Sequence, residues 1–353
     1  MAAFINGIGL ISPQKTVETN DFLAEITGYD ADYLKCIEPA SYKPYIDPIQ
    51  SRRMSRLIKI GIASAKICLR EAECEMPDAI ITGTGLGSVE DTERILGSIH
   101  LEQPFLNPTP FMQSTYNTIS SQIAIQLKCH SYNSTYVHRS FSFESCLQDA
   151  LLQIGEGTAK DVLAGGIDEM TMNHLEITRR QGHWKRGKAN NLEMLNWDSP
   201  GSMAGEGAGY FLLSSVKNEK TYGCVMDVQT LYKPEGIDEI SNRVTRMLSN
   251  SGLTIPDIDL VIMGVNGDNR YDYLYHEFEN AMFLSTPRAY YKHLCGEYYT
   301  STGFALWLAA NILKRQVFPS ILELDDCHRK SIRNILIYNQ YQNINHSLIL
   351  VTQ

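Results

Sequence analysis

Eight cysteines are the residues of this 353-residue chain best suited to nucleophilic or metal chemistry, and their spacing limits what they can do. Cys36, Cys68, Cys74, Cys129, Cys146, Cys224, Cys295 and Cys327 are scattered, with no C-x-x-C pair among them. Zinc sites and dithiol redox centres draw on paired cysteines at short spacing. The scatter therefore predicts separate reduced thiols, with no metal site and no disulfide framework. Cys146 recurs at helical spacing with Phe143, Leu147, Ala150, Leu151 and Ile154, which predicts a thiol packed in a core. The second suggestive group is cationic: Arg179, Arg180, His183, Lys185, Arg186 and Lys188 cluster in one short stretch. Such a run is either a solvated loop or an anion-binding patch.

The elements that must position these groups follow from apolar periodicity. Short apolar runs alternate with helical-period segments from end to end, the pattern of an α/β protein with buried strands. Met54, Leu57, Ile58, Gly61, Ala65, Cys68, Leu69 and Ala72 predict a helix, followed by Pro77-Asp78, the strand-like run Ala79 to Ile81 and the glycine turn Gly83 to Gly87. Ile237, Ile240, Val244, Met247 and Leu248 predict another, followed by Gly252, Pro256-Asp257, the run Leu260 to Met263 and the turn Gly264 to Gly267. The repetition predicts two halves of similar topology, residues 1–217 and 218–353. Phe304 to Leu313 is apolar almost all round, so that helix must be enclosed by protein.

Composition narrows the class. A hydrophobic content of 43% is that of a globular chain, and a net charge of −9 argues against nucleic acid as a main partner. The opening MAAFINGIGLISPQ has no leader-like charge and apolar pattern, and no run of apolar residues is long enough to span a bilayer. The expectation is a cytoplasmic protein with no membrane span, no cofactor and no metal.

Motifs along the whole chain resemble those of the β-ketoacyl synthases, condensing enzymes of the thiolase superfamily. Phe4 to Pro13 resembles the family's opening strand and G-x-G-x-x-S-P turn, and Ser51 to Leu57 its R-R-M-D-R-F helix start. Gly83 to Gly87 resembles its glycine turn, Ser114 to Asn117 the P-S-x-x-x-N segment, and Asp161 to Glu169 the D-V-x-x-A-G-G-x-E strand. Trp197-Asp198 through Gly209 resembles the F-D…G-E-G-A-G segment. The resemblance implies an α/β fold of thiolase type: a duplicated five-layer α-β-α-β-α arrangement of two pseudo-symmetric halves, dimerising through a central strand, here near Tyr132 to Arg139.

The same resemblance implies a cysteine nucleophile at a strand-to-helix elbow and two histidines that donate to the enolate formed on decarboxylation. Here the nucleophile position falls on Ser140, the first histidine on Asn266 and the second on Glu297, while the family lysine is retained as Lys292. The glycine-rich loop before the last strand reads Tyr341 to His346. A hydroxyl without a base, an amide and a carboxylate do not suit Claisen condensation. The pattern resembles the chain length factors, non-catalytic subunits that pair with an active ketosynthase, and among them those of aryl polyene and flexirubin-type pigment systems. No catalytic residue is then expected.

Three functional readings follow. The first is a chain-length-factor-like subunit of fatty acid or polyketide biosynthesis, in a heterodimer with an active ketosynthase or in a homodimer. The second is an acyltransferase or hydrolase with Ser140 as nucleophile and His138, His293 or Glu297 as base; His138 shares a face with Ser140 if the strand continues to it. The third is a non-enzymatic binder of a carrier protein or acyl ligand. The family resemblance places acyl carrier protein docking on Arg52, Arg53, Arg179, Arg180, Lys185 and Arg186, a local positive patch on an acidic protein.

Overall fold

The computed structural model describes residues 2–17, 19, 21–324 and 331–353; Cys327 lies outside the described residues. Ten strands form its main sheet: β1 (Ala3–Ile11), β2 (Ala79–Gly83), β3 (Tyr132–Tyr136), β4 (Asp161–Asp168), β5 (Gly207–Ser214), β6 (Cys224–Tyr232), β7 (Leu260–Met263), β8 (Arg288–Tyr290), β9 (Asn334–Tyr341) and β10 (Asn345–Thr352). Their order across the sheet is β8-β7-β9-β10-β6-β1-β5-β4-β2-β3. Read outward from the centre, β1-β5-β4-β2-β3 on one side matches β6-β10-β9-β7-β8 on the other, with the same parallel and antiparallel pairings. The two runs meet where β1 and β6 pair antiparallel, Ala3 opposite Val225.

Among the described residues, nine α-helices of six residues or more position the site and cover the sheet: α1 (Arg56–Glu71), α2 (Val89–His100), α3 (Pro108–Gln113), α4 (Thr118–Leu127), α5 (Ser142–Glu156), α6 (Met172–Arg180), α7 (Ile237–Asn250), α8 (Tyr273–Met282) and α9 (Thr302–Arg315). Successive strand residues point to opposite faces, so Ile80 of β2 packs with Leu57 and Ile119 of α1 and α4, while Ile81 packs inward with Phe143 of α5. On the other half, Val261 packs outward with Val244 and Phe278 of α7 and α8, and Ile262 inward with Phe304 of α9. The result is the layering α1/α4, strands, α5/α9, strands, α7/α8. Strands covered on both faces need no polar alternation, which is why β5 is buried along its whole length. Helix α9 is apolar almost all round because it sits in the middle layer. Cys146 of α5 is fully buried in that layer.

Contact between helix and strand is close enough to demand glycine. A Cβ on Gly9 of β1 would stand 1.9 Å from the Ser64 carbonyl oxygen of α1.

One element is shorter than the sequence suggests. The strand expected from Tyr132 to Arg139 ends at Tyr136. Arg139 then takes a left-handed φ of 49° and opens a tight turn into α5. Strand alternation therefore does not carry His138 and Ser140 to one face.

Candidate functional site

Ser140 is buried at this strand-to-helix turn. Its Oγ accepts a hydrogen bond of 2.8 Å from Nδ2 of Asn345 on β10. One helical turn further on, Glu144 is buried, and its Oε1 accepts from the Ser347 hydroxyl at 2.9 Å. Positions i and i+4 of a helix share a face, as do i and i+2 of a strand, so the two bonds fasten α5 to β10 in register. Burial pushes the Glu144 carboxyl up to about 7.

Glu297 lies beyond Gly296, whose φ of 75° turns the chain. The Glu297 backbone is fixed against residues 203–205, its N–H donating to Met203 O at 2.8 Å and its carbonyl accepting from Gly205 N at 3.0 Å. The side-chain Oε2 accepts from Lys292 Nζ at 2.5 Å and from Asn266 Nδ2 at 2.7 Å. Lys292 is wholly buried and Glu297 nearly so. Asn266 is held in turn: its N–H and that of Gly267 donate to the Asp272 carboxylate at 3.2 and 2.7 Å, and its carbonyl accepts from the Ser202 hydroxyl. Burial pushes the Asp272 carboxyl up to about 6.

Three of the four positions singled out in the sequence, Lys292, Glu297 and Asn266, are thus one hydrogen-bonded unit, while Ser140 belongs to a separate contact with Asn345. Glu297 has its Oε2 engaged by a cation and an amide, and a carboxylate has no donor to offer a developing oxyanion. Lys292 spends its charge inside the protein.

Two aromatic rings close the space around Glu297. Tyr299 lies against the glycine turn, where a Cβ on Gly85 would be 2.1 Å from its ring. Tyr341 packs on Tyr299 with centroids 5.4 Å apart. Asp168 locks the arrangement, accepting from Gly85 N at 2.7 Å, Thr300 N at 2.9 Å and Thr300 Oγ1 at 2.8 Å. Burial pushes that carboxyl up to about 6. What remains beside Glu297, Tyr299, Tyr341 and Asp168 is a cavity of about 20 Å³, room for roughly one water. A larger groove of about 900 Å³ opens on the other side of Leu86 and His174, between Tyr116, Ile177 and the rim of β3 at Thr135 and Val137. Leu86 and His174 line both spaces and form the wall between them.

No base is hydrogen-bonded to Ser140 among the described residues. His138 is exposed and stacks on Phe141 with centroids 5.4 Å apart. His293 is buried against Tyr290, ring centroids 3.9 Å apart, and burial pushes it down to about 3. Glu297 is committed to Lys292.

The expected docking residues do not form one free patch. Arg179 pairs with Asp32 at 2.7 Å and Arg180 with Glu176 at 3.0 Å. Lys185 donates to Ser199 O, Ser199 Oγ and Gly267 O at 2.6, 2.8 and 2.8 Å, so it staples the 182–202 loop to the Asn266 turn. Arg186, Arg52 and Arg53 are exposed. The last two border a concavity of about 510 Å³ shared with Lys59, Arg94 and Gln113. Cations that cluster in sequence are thus divided between a helix end, where Asp32 and Glu176 engage Arg179 and Arg180, and a loop in which Lys185 is held by Ser199 and Gly267.

Glu144, Asp168 and Tyr299 have no role of their own in the sequence reading, and Tyr341 and Asn345 enter it only as part of the segment that stands in place of the family's glycine-rich loop. The signal available for Tyr299 was a bulky ring inside a segment that resembles a family motif rich in glycine and alanine.

Residues 34–181 match the family model described as β-ketoacyl synthase, N-terminal domain. The fold is similar to that of the ishigamide ketosynthase/chain length factor, at 15% identity over 100% of this chain and 99% of that one, with a TM-score of 0.81. It is similar to the ketosynthase in complex with its chain length factor from Xenorhabdus doucetiae, at 13% identity over 99% and 98% of the two chains, TM-score 0.81. A type II polyketide synthase acyl-carrier protein in complex with its ketosynthase, bound to the hexaketide, gives 11% identity over 99% and 98%, TM-score 0.80. No curated protein matches the sequence. The fold is the thiolase-like fold of the condensing enzymes. The chain is thus similar to the β-ketoacyl synthases over residues 34–181 and shares the fold of ketosynthases and chain length factors over its whole length.

Proposed function

We propose that this chain is a non-catalytic, chain-length-factor-like subunit of a fatty acid or polyketide system of aryl polyene type, pairing with an active ketosynthase in the cytoplasm. The observation that carries this reading is the closed centre. Glu297, Lys292 and Asn266 satisfy one another, Tyr299 and Tyr341 fill the adjoining space, and the remaining cavity of about 20 Å³ cannot admit an acyl thioester. Ser140 offers a hydroxyl without a base.

The groove beside β3 supports the second half of the reading. β3 is an end strand of the sheet with one edge unpaired, and Tyr116, Tyr132 and Val137 leave large apolar surface exposed around it. An unpaired edge flanked by apolar side chains suits addition of a partner's strand. A partner seated there would close the groove, and Leu86 and His174 would end it. The groove and β3 both lie in the first proposed half, the division at 217/218 falling between β5 and β6. Exposed Arg52 and Arg53 are proposed to meet an acidic acyl carrier protein.

Co-expression with the ketosynthase encoded beside it should give a stable 1:1 complex with condensing activity that the isolated chain lacks. Elongation of a malonyl thioester by the isolated chain would refute the proposal. Absence of any complex would do the same for the pairing.

A further inference from the structure

The free edge of β3 carries an electrostatic instruction about its partner. Tyr132 and Tyr136, two residues either side of Ser134, both donate their phenol hydrogens to Oδ2 of Asp149 on α5, each at 3.1 Å. Gln153 Nε2 donates to Oδ1 at 3.0 Å. All three partners are neutral, and among the described residues no cation pairs with Asp149. The carboxylate is half-buried beneath the midpoint of the edge strand.

If two copies of this chain paired antiparallel along the whole of β3, the twofold axis would pass between the two Ser134 residues, on strands about 4.8 Å apart. Tyr132 of one copy would face Tyr136 of the other. Both Asp149 carboxylates would lie on the same face of the joined sheet, astride the axis, partly shielded from water and with no counter-charge. Like charges so placed oppose association, whereas a cation on a different partner would be drawn to the same position.

Resting on the proposed edge-strand pairing, we infer that Asp149 selects against self-association and for a non-identical thiolase-fold partner whose edge helix places a lysine or arginine opposite it. The chain by itself is then a weak or non-existent dimer, and the cation of the partner completes the interface.

Sedimentation equilibrium on the full chain tests this without a known partner. The wild type should be largely monomeric at low salt and self-associate more as sodium chloride screens the repulsion. Asp149→Asn should self-associate about tenfold more tightly, with little dependence on salt. Asp149→Lys should stay monomeric alone yet pair with the wild type when mixed, since the charges then complement. Unchanged melting temperatures would show that the variants fold. A wild type that dimerises tightly at low salt, or a mixture of wild type and Asp149→Lys that pairs no better than either alone, overturns the inference. An Asp149→Lys variant that binds the co-expressed ketosynthase as tightly as wild type also overturns it while leaving the proposed function intact. Loss of that binding in Asp149→Lys, retained in Asp149→Asn at reduced affinity, supports it.

Discussion

Lys292 Nζ lies 2.5 Å from Oε2 of Glu297 in the middle of the molecule, and no solvent reaches the lysine. A buried ion pair adds little net stability over apolar side chains of the same shape, but removing one partner strands the other charge.

Glu297→Ala should therefore cost about 3–5 kcal/mol in urea unfolding, and Lys292→Met a similar amount. The double variant Lys292→Met/Glu297→Leu should unfold with a smaller loss than either single change. A simple sum of the two losses would show that the pair is not coupled. Glu297→His should restore no condensing activity, because it frees Lys292 and leaves Tyr299 and Tyr341 in place.

Ser140→Ala removes only the acceptor for Asn345 Nδ2, so its stability loss should be about 1 kcal/mol. Incubated with an acyl thioester, wild type and variant alike should show no added mass by intact mass spectrometry. A wild-type adduct missing from Ser140→Ala would establish the acyltransferase reading.

Glu144 and Glu169 are pushed up by burial to about 7, and Asp168 and Asp272 to about 6, from ordinary values of 4.5 and 3.8. A carboxyl raised in the folded state holds its proton more tightly there than when unfolded. Stability from these groups is thus fully present below the unfolded values and is lost as pH rises through the folded ones. Melting temperature should fall between pH 5 and pH 8, and Glu144→Gln should flatten that slope.

Gly85→Ala places a Cβ where the ring of Tyr299 now lies, at 2.1 Å, and the neighbouring backbone is pinned by Asp168. It should destabilise the fold by about 1–3 kcal/mol. Tyr299→Ala should relieve that overlap, so a double-mutant cycle should give a favourable coupling. Zero coupling would mean that the ring does not bear on the turn.

Lys185→Ala should loosen the 182–202 loop, read as faster limited proteolysis there, because three oxygens lose their donor. Arg52→Ala and Arg53→Ala should leave proteolysis unchanged and, under the docking proposal, weaken carrier binding with a marked dependence on salt.

Much of the scaffold was readable from residues alone. Ala79 to Ile81 and Leu260 to Met263 stand as β2 and β7 in equivalent places of the two runs, each followed by its glycine turn. Phe304 to Leu313 reads as an enclosed helix, and it lies in α9 of the middle layer. The strand before Ser140 was overextended because a left-handed Arg139 is no more visible in a sequence than any other arginine. The partners of the basic run from Arg179 to Lys188 were hidden for a related reason, since Asp32 and Gly267, which engage Arg179 and Lys185, are remote in the chain.

Apolar period and glycine placement are local properties, so the sequence by itself determined the α/β class, the recurrence of a helix, strand and glycine-turn unit, and the residue types at four suspect positions. Whether those residues meet, and what fills the space between them, depends on side chains brought together across separations of 5 to more than 200 residues by the packing of strands and turns. Only the tertiary structure joined Lys292, Glu297 and Asn266, gave Ser140 to Asn345, laid Tyr299 on Gly85 and set Asp149 beneath an open strand edge. Packing and charge compensation are decided by three-dimensional proximity, and no spacing along the chain encodes that directly.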